Sequence, residues 1–186
     1  MEDLAAYLDG LSADERLAQC RALGRAQQRQ LFQLASPAIG VDDLVPASIP
    51  AQTAVVQEGT NTLPLPPPWQ RFQKPMCRPA DGSPRLFGYN EGSTRPLIGP
   101  GYFVAYGTDD RPEWAERGGV VVDYYQVPDG PVAPGWPKVV PNSRGLQMFV
   151  FQGTRDFMRK VSTFVTIGAA YKGEKALDHY FVLVRQ

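Results

Sequence analysis

The hydrophobic pattern divides the chain into a helical head, an irregular middle and a β-rich end. In residues 1–36, Leu17, Cys20, Leu23, Leu31 and Leu34 recur at helical spacing, with Arg21, Arg25 and Arg29 elsewhere on the wheel. Ser12 and Glu15 match the S-x-x-E capping box that opens a helix. Gly24 is a candidate break into two helices, Gln27 and Gln28 interrupt the stripe, and Ser36-Pro37 ends the segment. From Gly101 the pattern turns to β. GYFVAYG (101–107), GVVVDYYQV (119–127), LQMFVFQ (146–152), VSTFVTIGA (161–169) and ALDHYFVLVR (176–185) read as strands. RPEWAERG (111–118) reads as a short helix, with Pro112 in its first position and Gly118 after its end. TRDFMRKV (154–161) reads as another: Thr154 caps it, Asp156 sits in its first turn, and Arg159 and Lys160 suit its C-terminal dipole.

All eighteen prolines lie between Pro37 and Pro141. Proline breaks helix interiors and central strands, so residues 37–100 are expected to be irregular. The exception is LFGY (86–89), a short strand between the Asp81-Gly82 and Asn90-Glu91-Gly92 turns. NTLPLPPPW (61–69) reads as a polyproline strap on the protein's own surface, and PDGPVAPGWPKVVP (128–141) as a long ordered loop. The strands lack the long crossover helices of parallel sheets, so the pairing is expected to be mostly antiparallel. The fold class is therefore α+β: a curved antiparallel sheet or partly closed β-barrel. A helical segment (1–36) precedes a β-rich body (37–186), whose main sheet spans 101–186, all in one compact unit.

Composition narrows the classes of function. Of 186 residues, 43% are hydrophobic and 20% charged, enough for a packed core. Nineteen basic residues balance nineteen acidic ones, which argues against a coat for duplex DNA or an anionic membrane. MEDLAAYLDG has no apolar leader, no run is long enough to span a bilayer, and Cys20 and Cys77 form no CxxC. A cytoplasmic protein with reduced thiols is expected. Charge is nevertheless segregated. Residues 142–186 carry seven basic and three acidic groups, whereas 98–140 carry three and six. The runs IGPGYFVAY, VSTFVTIGAAYKGEK and DHYFVLVRQ resemble a family of small bacterial proteins of uncharacterised function. That resemblance covers the last half of the chain and implies a bacterial origin but no chemistry.

Candidate chemistry centres on His179, the single histidine. YKGEK reads as a hairpin turn that sets Lys172 opposite Lys175, Gly168 opposite His179 and Ile167 opposite Tyr180. Neighbours in a strand point to opposite faces, so Asp178 does not orient His179 as a catalytic dyad. His179 reads as a ring packed against a glycine, with ligand contact as the alternative. Asp123, a candidate part-buried carboxylate, shares a face with Tyr125. Arg155 and Arg159, four residues apart, with Lys160, Lys172 and Lys175, form a basic set among aromatics suited to single-stranded nucleic acid or a phosphate ligand.

The acidic run Asp109, Asp110, Glu113 and Glu116 lacks calcium-loop spacing, and one histidine with two isolated cysteines makes no zinc site. No P-loop, G-x-S-x-G or H-E-x-x-H motif occurs. No metal, cofactor or catalytic residue is assigned. Three functions remain open. The first is a non-enzymatic binding or interaction protein, with a protein partner or a second copy meeting the N-terminal helix. The second is a binder of single-stranded nucleic acid or phosphate. The third is a small-molecule enzyme of no standard motif, with Asp123, Tyr124, Tyr125, Lys172 and His179 as its first suspects.

Overall fold

A computed structural model describes residues 1–186. The head forms three short helices: α1 (Glu2–Gly10), α2 (Ala13–Arg21) and α3 (Arg25–Leu34). The capping box forms as the sequence predicts. The Glu15 N–H reaches Ser12 Oγ, and Glu15 Oε2 accepts from the Ser12 N–H at 3.1 Å. Gly24 stands at the N-cap of α3, so the head does break there. Leu8, Cys20, Leu31 and Phe32 are buried against Val165, Ile167, Val182 and Val184 of the sheet. A four-residue helix, α4 (Val41–Leu44), follows.

Eight antiparallel strands then close into a barrel in which every strand pairs with its neighbours in sequence and the last returns to the first. They are β1 (Val55–Asn61), β2 (Arg71–Cys77), β3 (Arg85–Gly88), β4 (Phe103–Gly107), β5 (Val120–Asp123), β6 (Thr154–Lys160), β7 (Val165–Lys172) and β8 (Lys175–Arg185). Short helices sit in the connections: α5 (Pro67–Gln70), α6 (Arg95–Ile98) and α7 (Gln147–Val150), with a 3-10 turn at Pro112–Trp114. Closure removes the exposed edges that an open sheet would present. No helix is long and apolar enough to cross a membrane.

Four local expectations are corrected. The irregular middle contains β1 and β2. In β1 the inward positions are Val55, Gln57 and Gly59, so apolar alternation is absent; Gln57 is buried and donates to the Leu44 carbonyl at 2.7 Å. In β2, Pro75 is tolerated because β3 pairs only with Met76 and Cys77. The Pro75 carbonyl still accepts from the Tyr89 N–H at 3.3 Å, and no donor is required of it there. LQMFVFQ is not a strand but α7, bracketed by Gly145 (φ 65) and Gly153 (φ 76) in the left-handed region.

TRDFMRKV is not a helix but β6, paired along its length with β5 and β7. The Thr154 hydroxyl donates back to the Phe151 carbonyl at 2.7 Å instead of capping a helix. Long-range pairing overrides a favourable local signal here.

The turn of the β7–β8 hairpin pairs Lys172 with Lys175 as expected. Its deeper register differs. Tyr171 pairs with Ala176 but Ala169 with Tyr180, so a bulge in β8 holds Leu177, Asp178 and His179, with Asp178 at φ 55. Gly168 consequently faces Phe181, not His179, and Ile167 faces Val182.

The barrel interior has two unlike ends. At one, Met76, Leu86, Ala105, Val120, Val122, Met158 and Leu183 pack together, and Leu44 and Val45 plug the opening. At the other, β1 finishes and β2 begins, and the interior is open. The 128–141 loop lies on the outer wall, as its composition predicts, with Ala133 buried beside Cys77, Phe87 and Val104.

Candidate functional site

The open end holds a cavity of about 530 Å³, within the range of small-molecule sites. Leu63, Leu65, Phe72, Ile98, Phe151 and Phe181 give it a largely apolar wall, and Asn61, Arg71, Glu91 and Arg95 also line it. The proline strap stands at its mouth and brings Trp69 to the rim, while α7 brings Phe149 and Val150. These rim groups face water. Phe149 is 73% exposed and Trp69 54%.

The floor is polar. Lys74, on the inward face of β2, is 1% exposed. Its Nζ donates to Asp156 Oδ2 at 3.0 Å and to the Tyr124 hydroxyl at 2.6 Å. Tyr124 in turn donates to Asp156 at 3.2 Å and accepts from Asn90 Nδ2, also at 3.2 Å. Burial pulls the Lys74 ammonium below the usual lysine range, and the adjacent Asp156 carboxylate offsets part of that pull. Burial, then Asp156, pushes the Tyr124 phenol well above its ordinary value, so it stays protonated.

Aromatic rings complete the floor. Lys74 Nζ lies 4.6 Å from the Phe181 ring centre, 5.0 Å from Phe103, 5.1 Å from Tyr124 and 6.0 Å from Phe72. Each phenylalanine lies across the ladder from a glycine: Phe72 from Gly59, Phe103 from Gly88, Phe181 from Gly168. A Cβ on any of those glycines would come within 2.2–2.5 Å of the paired ring. Three glycine–phenylalanine pairs thus let the rings fold inward over the lysine.

Around the mouth, Arg95 pairs with Glu91 at 2.7 Å. His179 lines the cavity, and its Nδ1 accepts from Arg25 Nη2 of α3 at 3.1 Å. Burial, reinforced by the Arg25 charge, lowers the His179 pKa. Asp178 also turns to α3, pairing with Arg29 and lying 3.9 Å from the same Arg25 that bonds His179, so the bulge replaces the strict strand alternation expected for these two neighbours.

Of the candidate site residues named from the sequence, the cavity gathers His179 and Tyr124. Asp123 is buried in a separate cluster, accepting from the Tyr106 hydroxyl at 2.8 Å and pairing with Arg155 at 3.2 Å. The Arg155 guanidinium also lies 4.2 Å from the Tyr125 ring centre. Arg159 donates to the Phe32 and Arg117 carbonyls and Lys160 pairs with Asp43 at 2.6 Å. Lys172 and Lys175 sit exposed at the hairpin turn. Arg155–Asp123 and Arg117–Glu174 pair basic and acidic groups across the two charge-biased segments.

Sequence reasoning passed over Lys74, Asp156 and the three glycine–phenylalanine pairs. One signal was present: Phe72, Lys74 and Met76 alternate as an inward strand face would, but Pro75 masked the strand. Asp156 reads in the sequence as a first-turn residue of a helix capped by Thr154. No group of three or more histidine, cysteine or acidic side chains is placed to hold a metal ion. Comparison of the chain with protein-family models, curated proteins and solved structures gives no match, so the site is read from its own residues.

Proposed function

We propose that the protein binds a small amphipathic molecule in the open end of the barrel. The observation that carries this reading is the cavity itself: apolar walls and a water-facing aromatic rim above a single buried polar cluster. Apolar surface exposed around a concavity favours a ligand that covers it. The floor also selects the head group. Lys74 and Asp156 already neutralise one another, so a charged head buried there would lack a counter-ion. A neutral dipole, such as a hydroxyl or carbonyl, finds donors in Lys74, Tyr124 and Asn90 at no such cost.

The nucleic-acid alternative draws less support, because Arg155, Arg159 and Lys160 are engaged within the molecule. Association through the N-terminal helices has one observation in its favour. A groove of about 250 Å³ between α1, α2 and α3 exposes Tyr7 and Leu34. Light scattering decides it, since a strict monomer at high concentration contradicts self-association. The buried free thiols Cys20 and Cys77 fit a reducing compartment such as the cytoplasm.

The pocket is tested with Nile red, a neutral fluorophore that brightens in apolar surroundings. One saturable site of micromolar order is expected, emptied by 1-decanol. Ala170 also lines the cavity. Ala170→Trp fills that space and should abolish the signal with little change in melting temperature. Equal binding by that variant would contradict the site.

A further inference from the structure

We infer that the ligand of this site carries an aldehyde or ketone carbonyl and is held covalently, as a Schiff base on Nζ of Lys74. The inference rests on the pocket reading and goes beyond it by naming the reacting group. The floor favours a neutral head, and among neutral heads a carbonyl is both a hydrogen-bond acceptor and an electrophile. Lys74 supplies the nucleophile from the cavity wall. Its two polar neighbours match the needs of imine formation. Asp156 Oδ2, at 3.0 Å, takes the proton that the ammonium sheds before attack. The Tyr124 hydroxyl, at 2.6 Å from Nζ, is placed to pass a proton to the carbonyl oxygen as it leaves.

The step balances without a further reactant. The Nζ lone pair forms a bond to the carbonyl carbon while the carbonyl π pair moves to oxygen, which takes the Tyr124 proton, and the positively charged adduct nitrogen returns one of its protons to the Tyr124 oxygen. The carbinolamine then loses that oxygen as water together with a nitrogen proton, giving R–CH=N–Lys74 from R–CHO and the amine, or the corresponding ketimine from a ketone. When the imine is protonated, its positive nitrogen keeps the Asp156 counter-ion and the rings of Phe181, Phe103 and Tyr124 that now surround the ammonium. Burial, which depresses the lysine's proton affinity, raises the share of free amine.

The chain suits a direct test because it has five lysines. Lys138, Lys172 and Lys175 are exposed, and Lys160 is paired to Asp43 outside the cavity. The full chain is incubated with 2-naphthaldehyde and sodium cyanoborohydride at neutral pH, and the reduced adduct is located by peptide mapping. Among the lysines an adduct on Lys74, formed at least roughly tenfold faster than on any other, is expected, with labelling of the exposed Met1 α-amine resolved separately in the N-terminal peptide. Because the map is read on the unaltered chain, the result does not depend on a variant folding. Lys74→Arg, which keeps the charge but forms no imine, should lose the adduct.

The isosteric alcohol, 2-naphthalenemethanol, separates the two readings. If the alcohol displaces Nile red but the aldehyde labels Lys74 no faster than the surface lysines, the covalent step is overturned and the pocket stands. If neither compound displaces Nile red and Lys74 is unlabelled, the pocket reading falls with it.

Discussion

The two ends of the barrel are built by the same eight strands yet solve opposite problems. At the sealed end, inward positions carry Met76, Leu86, Val122, Met158 and Leu183, and α4 supplies Leu44 as a plug. Most inward groups there are apolar and find apolar neighbours, with Gln57 bonded to the Leu44 carbonyl and Thr166 beside Leu183 as the polar exceptions, so burial stabilises the fold directly, by about 1.5–3 kcal/mol for each large apolar side chain. A few residues along the same strands, the inward positions become Lys74, Tyr124 and Asp156, and glycines replace bulk. Burying an ion pair stabilises little, because desolvation consumes most of the Coulomb attraction. A barrel optimised for stability alone would have packed this end too. The difference teaches where to look for function: at the end that gives up packing in exchange for a buried polar cluster and an open cavity.

The floor should respond most strongly to substitution. Lys74→Met leaves the Asp156 carboxylate buried without its cation, and should cost about 3–5 kcal/mol in a denaturant titration. Adding Asp156→Leu should return most of that loss, because an apolar pair of similar size needs no counter-ion. A double variant as unstable as the single would contradict the picture of a desolvated pair.

The sealed end should respond differently. Leu183→Ala removes packing from a fully buried position and should cost about 3 kcal/mol, yet leave Nile red affinity unchanged. A Leu183→Ala protein that loses its ligand while still folded would show that the two ends are coupled.

The sequence made the architecture legible where one physical signal acted alone. The head needed only helical spacing and the Ser12–Glu15 box, and α2 begins at that cap. GYFVAYG, GVVVDYYQV and ALDHYFVLVR became β4, β5 and β8. Legibility failed where two signals competed. Thr154 and Asp156 resemble a helix start, but on β6 Asp156 faces Lys74 across the barrel, a partner 82 positions away. Arg155 and Arg159, read as one helix face, still share a face, because positions four apart also coincide in a strand. The floor was the least legible part. Its lysine lies in a strand hidden by Pro75, and the role of Gly59, Gly88 and Gly168 depends on a register that no local pattern specifies. The bulge at Leu177–His179 is similarly invisible beforehand, and it moved Gly168 from His179 to Phe181.

The most direct test of a ligand site confined to one end is a methyl-resolved NMR titration of the full chain with 1-decanol. Saturable shifts are expected for Leu63, Leu65, Ile98, Val150 and Ala170, which line the cavity, with Leu44, Leu86, Val120 and Val122 unmoved at the sealed end. No shifts among the cavity methyls, or shifts concentrated on Leu23, Leu31 and Leu34 in the helical groove, would contradict it.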